Sequence, residues 1–220
     1  MPKWAKTILA LLLSPFCWGA ARTLARVIAA SGQADTVWVA LLGGVASWWA
    51  IYLILPKPMW IYVFGHELTH ALSTWLCGGS VRRFKVTPEG GQVVVSKTNF
   101  LIALAPYFIP LYALIVVAVF WGGNSLWAWG VRSVWFHLLL GAAYAFHLTL
   151  TWHILQTRQT DITGQGYIFS AVVIFLGNVL VLLLAIPLLT QRVALFTALS
   201  WWVADSVTGV ASIANALTRP

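Results

Sequence analysis

The stretch IYVFGHELTHALSTWLCGG (residues 61–79) places two histidines and a glutamate inside an apolar run. An ionised side chain in a membrane-spanning helix costs about 2.5–3.5 kcal/mol on insertion scales, so such residues usually serve a function. Positions i and i+4 of a helix share one face, so His66 and His70 can present ring nitrogens to one metal ion. The pattern therefore predicts a zinc site in which Glu67, beside the first ligand, is the general base that takes a proton from an activated water molecule.

The composition shows that this pattern is not a product of chance. From the histidine and glutamate frequencies of the chain, the expected number of H-E-x-x-H matches is about one in a thousand. The 220 residues are 60% hydrophobic and 8% charged, which is typical of a multispanning membrane protein and excludes a water-soluble domain. Since the chain has five acidic residues in all, each carboxylate is a notable candidate ligand.

The net charge of +8 raises the question of a nucleic-acid partner. The basic residues are scattered between apolar runs, however, which favours loops that face anionic membrane lipid and argues against nucleic acid. Cys17 and Cys77 are too few and too far apart for a disulfide framework or a thiolate metal site. The sequence does not indicate an oligomeric state.

The apolar segments predict an all-α polytopic membrane protein with about six transmembrane helices. The predicted spans are residues 4–21, 36–55, 59–77, 100–121, 129–154 and 167–190. Three parts follow from this order, namely two N-terminal transmembrane helices (1–58), a core with the metal site (59–190) and a tail (191–220). The tail carries a thin polar stripe, so it either lies in the membrane interface or forms a seventh span.

One segment departs from the helical pattern. VRRFKVTPEGGQVVVSKTN (residues 81–99) has β-branched residues on both sides of PEGG, which predicts a β-hairpin over residues 81–97. More Lys and Arg residues fall in the loops on the side of this hairpin than on the opposite side. This bias predicts that the hairpin and the site face the cytoplasmic leaflet.

A catalytic zinc ion needs a third protein ligand, and Asp161 is the first candidate. It lies just before the last clear span, on the hairpin side of the six-span arrangement and therefore in the same leaflet as His70. The alternative is that Asp161 caps the N-terminus of the following helix. His147 and His153 are further candidates, although their spacing keeps them off a common helix face and each also fits an interhelical hydrogen bond.

The chain resembles the site-2 protease family of intramembrane zinc metalloproteases, most closely the compact subgroup that lacks PDZ and CBS domains. The resemblance covers roughly residues 59–190. It rests on three features, which are HExxH in a transmembrane helix, the segment GGSVRRFKVTPEGGQVVV (residues 78–95), and ALAP (residues 103–106) at the start of the next span.

The resemblance implies a set of residue roles. In that family two histidines and a later aspartate bind Zn²⁺, and the glutamate activates water. These roles carry onto His66, His70, Asp161 and Glu67. The implied activity is hydrolysis of transmembrane protein substrates in or near the bilayer.

The resemblance also implies a role for the hairpin. A peptide bond within a helix must be unwound before attack, and a strand edge at Val93, Val94 and Val95 would bind the extended substrate by β-augmentation. The alternative is a hairpin that only plugs the helix bundle. Asn178, a polar residue in the last clear span, either bonds a substrate carbonyl or packs between helices.

Two other functions stay open on the sequence alone. One is a catalytically idle relative that binds transmembrane segments, against which the intact His-Glu-His set argues. The other is a zinc transporter, in which buried histidines and acidic residues line a path. Transporters more often distribute such residues over several helices and show internal repeats, and neither feature is clear in this sequence.

Overall fold

The computed structural model describes residues 2–87, 90–129 and 134–218, apart from the side chains of residues 213, 216 and 217. The chain divides into two compact units, residues 36–161 and residues 1–35 together with 162–220. The first unit contains the HELTH segment and the hairpin. The three-part division expected from the sequence stays a prediction.

The described part of the chain is mainly helical, with one pair of strands. Its elements are α1 (Lys3–Ala30), α2 (Asp35–Ile54), α3 (Met59–Leu76), β1 (Val81–Thr87), β2 (Gly90–Val95), α4 (Phe100–Leu104), a 3₁₀ turn (Ala105–Tyr107), α5 (Leu111–Trp127), α6 (Val134–Leu155), α7 (Thr160–Gln165), α8 (Tyr167–Thr190) and α9 (Leu195–Thr218).

The all-α polytopic class predicted from the sequence is confirmed. Within the described residues, α1, α2, α6 and α8 are long and apolar enough to cross a membrane, and a fifth span results if α4 and α5 count as one. The sequence predicted about six spans, and the difference is α3. This helix has 18 residues, but the polar side chains of HELTH lower its hydropathy.

The expected single span at residues 100–121 is instead a bent pair of helices. The segments Phe100–Tyr107 and Leu111–Trp127 meet at an angle of 77°. Proline cannot donate a backbone hydrogen bond and its ring clashes with the preceding turn, so Pro106 and Pro110 interrupt the helix.

The predicted β-hairpin is confirmed. β1 and β2 pair antiparallel, with Phe84 opposite Val93. The ring of Phe84 also meets Phe64 of α3 edge-on, with centroids 5.8 Å apart, and this contact fastens the hairpin to the helix. Pro88 and Glu89, which the sequence places in the turn, lie outside the described residues.

In the other unit, α1 packs against both α8 and α9. The buried carboxylate of Asp205 in α9 accepts a hydrogen bond of 2.9 Å from the Thr23 hydroxyl and lies 3.6 Å from Arg22 and 3.4 Å from Arg26. Because this carboxylate holds three residues of α1, the helix continues well past the predicted end at residue 21. Residues 195–218 of the tail form one helix along α1, and the relation of this helix to the membrane stays a prediction.

Two glycines let α2 and α6 approach closely. A Cβ atom built at Gly44 would overlap the carbonyl oxygen of Leu138, and one at Gly141 would overlap that of Leu41. Small residues at such crossings are typical of membrane helices, since association there depends on close packing.

We therefore expect Gly44→Ala to lower the free energy of unfolding by about 1–3 kcal/mol, the usual cost of an overpacked site. The matched control is Gly43→Ala, because a Cβ at Gly43 has no atom within 4 Å. That change should be neutral or stabilise the helix by up to about 1 kcal/mol. Denaturant titration of the purified protein in detergent measures both, and equal stability of the two variants would contradict the crossing.

Candidate metal centre

α3 turns its polar residues toward the interior of its unit. Glu67 and His70 are buried, and the His66 side chain is only 10% exposed. Gly65, one residue before the first histidine, lies against the ring of Tyr112, where a Cβ atom would collide. The helix therefore presents its ionisable face to protein.

Two imidazoles and one carboxylate converge at this face. The Nε2 atoms of His66 and His70 lie 3.6 and 3.3 Å from Oδ2 of Asp161. The three candidate ligand atoms all lie within 4.8 Å of one another. Ligand atoms around a tetrahedral zinc ion lie about 3.3–3.6 Å apart, so the donor set and both distances to Asp161 fit zinc.

A backbone carbonyl fixes the orientation of the second histidine. Nδ1 of His70 lies 2.8 Å from the carbonyl oxygen of Ile102. Since a carbonyl only accepts, Nδ1 carries the proton and donates it, and Nε2 keeps the lone pair that a metal needs. Such outer hydrogen bonds are the usual means by which metal-binding histidines are held.

Asp161 lies in the first turn of α7, and the residue that precedes α8 is Gly166. Asp161 therefore does not cap the N-terminus of α8. Burial alone would raise the pKa of its carboxyl group, but the imidazoles of His66 and His70 beside it outweigh burial and hold the pKa well below its ordinary value. The group is thus ionised, which is the form that ligates a metal.

The same carboxylate oxygen has a further partner. The hydroxyl of Tyr107, a fully buried residue, donates to Oδ2 of Asp161 over 3.1 Å. Its ring also meets His66 edge-on, with centroids 5.1 Å apart. Tyr107 therefore contacts two of the three candidate ligands.

The other predicted residues lie apart from this cluster. His147 is buried and bonds the backbone of Tyr107, and neither it nor His153 belongs to the metal-ligand group found among the described residues. Asn178 is in the other unit, where its side-chain amide donates to the carbonyl of Ile174 over 2.9 Å. Its substrate-binding role stays a prediction.

A cavity of about 540 Å³ opens beside the cluster. Its wall includes the candidate ligands, Glu67 and much of β2. Val93 and Val95 line it, whereas Val94 is not among the lining residues. The substrate-binding role of these three valines stays a prediction.

Sequence reasoning missed three contributors to the site, namely Tyr107, the carbonyl of Ile102, and Gly91, whose α-carbon packs on Glu67. The signal for Tyr107 was a polar aromatic residue directly after the ALAP segment. The other two act through backbone atoms, which residue types do not reveal.

Comparison with known proteins gives one match. The family model described as Peptidase M50B-like matches residues 37–158, a segment that includes HELTH and ends just before Asp161. No curated protein and no solved structure matches the chain.

The hydrogen bond from Tyr107 leads to a testable prediction. Tyr107→Phe should weaken zinc binding about 10- to 100-fold, the usual effect of losing an outer-shell partner. Competition with a chromogenic chelator measures the affinity. Tyr62→Phe is the matched control, because the Tyr62 hydroxyl bonds Thr151 (3.1 Å) and not the carboxylate. Equal zinc affinity in the two variants would show that the Tyr107 hydroxyl does not support Asp161.

Proposed function

Because the chain belongs to the Peptidase M50B-like family, we propose that it is an intramembrane zinc metalloprotease that hydrolyses membrane-protein substrates in or near the bilayer. The observation that carries this proposal is the convergence of His66, His70 and Asp161 within 4.8 Å. Glu67, on the wall of the same cavity, supplies the base that peptide hydrolysis requires.

In this proposal the zinc ligands are Nε2 of both histidines and the carboxylate of Asp161. The set of two histidines and one carboxylate is a known catalytic combination, which leaves a position for a reactant. When bound, zinc supplies Lewis acidity that activates water and polarises the substrate carbonyl. Ile102 and Tyr107 hold the ligands in place through hydrogen bonds.

Glu67 moves the proton. Its carboxylate accepts a proton from water as the water oxygen bonds to the carbonyl carbon of the substrate. It then delivers that proton to the amide nitrogen as the carbon–nitrogen bond breaks. The products are a new carboxyl terminus and a new amino terminus.

The proposed substrate is a transmembrane segment in extended form, since a helix shields its own carbonyls. The cavity-facing edge of β2, near Val93 and Val95, suits a strand that adds by backbone hydrogen bonds. The excess of Lys and Arg on the hairpin side supports a site toward the cytoplasmic leaflet. The expected partners are thus the substrate and the lipid around the apolar spans, and no nucleic acid is expected to bind.

The first test replaces the base. Glu67→Gln keeps the size of the side chain but cannot accept the proton, so cleavage of a reconstituted transmembrane peptide should fall by at least about a hundredfold. Zinc content, measured by metal analysis, should stay at the wild-type level.

The alternatives give different results in the same preparations. Unchanged cleavage by Glu67→Gln would overturn the proposed mechanism. Zinc uptake into vesicles that survives the substitution would favour a transporter. Binding of the peptide without cleavage by the wild-type protein would favour an idle relative.

The second test concerns the third ligand. Asp161→Ala should lose most of its zinc because a two-histidine site holds the ion poorly, and Asp161→His, which still offers a ligand, should keep part of it. His153→Ala is the control, since His153 is not part of the ligand group. Zinc retained by Asp161→Ala but lost by His153→Ala would show that the third ligand is assigned wrongly.

A further inference from the structure

Glu67 packs directly against the backbone of β2. The nearest atoms to a Cβ built at Gly91 would be Cγ of Glu67, Cγ1 of Val63 and Cδ of Glu67, all close enough to clash. Gly91 does not have the positive φ that favours glycine elsewhere in the chain. Glycine at this position therefore leaves room for the side chains of Glu67 and Val63, and its backbone conformation is not the reason for it.

A second group of β2 also faces this glutamate. The backbone N–H of Val93, two residues further along β2, lies close enough to the Glu67 carboxylate to interact with its charge. Backbone groups of successive strand residues point to opposite edges, so Gly91, Val93 and Val95 share the edge turned away from β1. The N–H of Ser96 supports this alternation, because it donates back to Ser80 across the hairpin.

The first strand of the hairpin also packs against α3, and this contact restricts the position of β2 relative to the helix. Phe84 of β1 lies opposite Val93 and packs edge-on against Phe64, three residues before Glu67 on α3. The hairpin thus contacts α3 at two points. Phe84 of β1 packs against Phe64, and Gly91 of β2 packs against Glu67. A glutamate has three rotatable bonds, and these contacts restrict them.

We propose that Gly91 and Val93 are positioning residues for the general base, so that the hairpin aims the Glu67 carboxylate at the His66–His70–Asp161 cluster. The inference rests on the proposed function, which makes Glu67 the base. It differs from a docking edge or a plug, because neither of those roles requires the hairpin to determine where the base lies.

The first experiment adds one methyl group. Gly91→Ala keeps every backbone donor of β2 but displaces the Glu67 side chain, and a misplacement of about 1 Å costs on the order of a hundredfold in rate. We expect kcat for a transmembrane peptide to fall about a hundredfold, with KM changed less than about threefold and zinc content unchanged. Gly122→Ala in α5 is the matched control, because a Cβ at Gly122 has no atom within 4 Å, and it should keep the wild-type kcat.

The second experiment removes one donor and adds no bulk at the glutamate. Val93→Pro and Val95→Pro each delete an N–H on the outer edge, where proline breaks no bond to β1. Only the Val93 donor reaches Glu67, so Val93→Pro should lower kcat at least tenfold more than Val95→Pro. A docking role alone would raise KM in both variants and leave their kcat values alike.

The outcomes separate this inference from the proposed function. A wild-type kcat in Gly91→Ala, a change in KM alone, or a loss of zinc would each overturn the positioning role, and the protease would still stand if Glu67→Gln is inactive. Full activity of Glu67→Gln would overturn both.

Discussion

The electrostatic cost of ionisable groups in an apolar chain is the constraint that organises the unit of residues 36–161. An isolated carboxylate or imidazolium buried there would be strongly destabilising. The cost falls when such groups meet, and Asp161 lies within 3.6 Å of both histidine Nε2 atoms. The bent segment of α4 and α5 contributes Tyr107 and the carbonyl of Ile102 to this cluster, and the short helix α7 contributes Asp161. The local architecture follows from the need to pair these groups.

The part of the site that is local in sequence could be predicted from the sequence. His66, Glu67 and His70 lie within a little more than one helical turn, and helix geometry alone places both histidines on one face. The hairpin could also be predicted from the sequence, because β-branched residues around PEGG are a local signal. The match to the Peptidase M50B-like family confirms the resemblance that these motifs indicated.

The rest depended on contacts between residues far apart in the chain. The hydroxyl of Tyr107 meets a carboxylate 54 positions away, and no periodicity encodes such a pair. The first helix was predicted too short because the partner of its arginines, Asp205, lies in the last helix. The bend after α4 had a visible signal in Pro106 and Pro110, which the hydropathy of the segment concealed.

Asp205 and Asp161 show how the partner of a carboxylate determines what that carboxylate can do. Asp205 faces guanidinium groups, which are always protonated and have no lone pair for a metal. Asp161 faces imidazoles, which can offer a nitrogen lone pair and are common metal ligands. The first arrangement can join helices, whereas the second can also hold an ion.

The proline that interrupts the bent span leaves one backbone oxygen without its normal helical partner. In a continuous helix the carbonyl of Ile102 would accept from the N–H four residues later, and that residue is Pro106, which has none. The oxygen accepts from Nδ1 of His70 instead. An irregularity that breaks a helix thus sets the tautomer of a histidine on its neighbour, and the fold gains a fixed imidazole lone pair without any additional side chain.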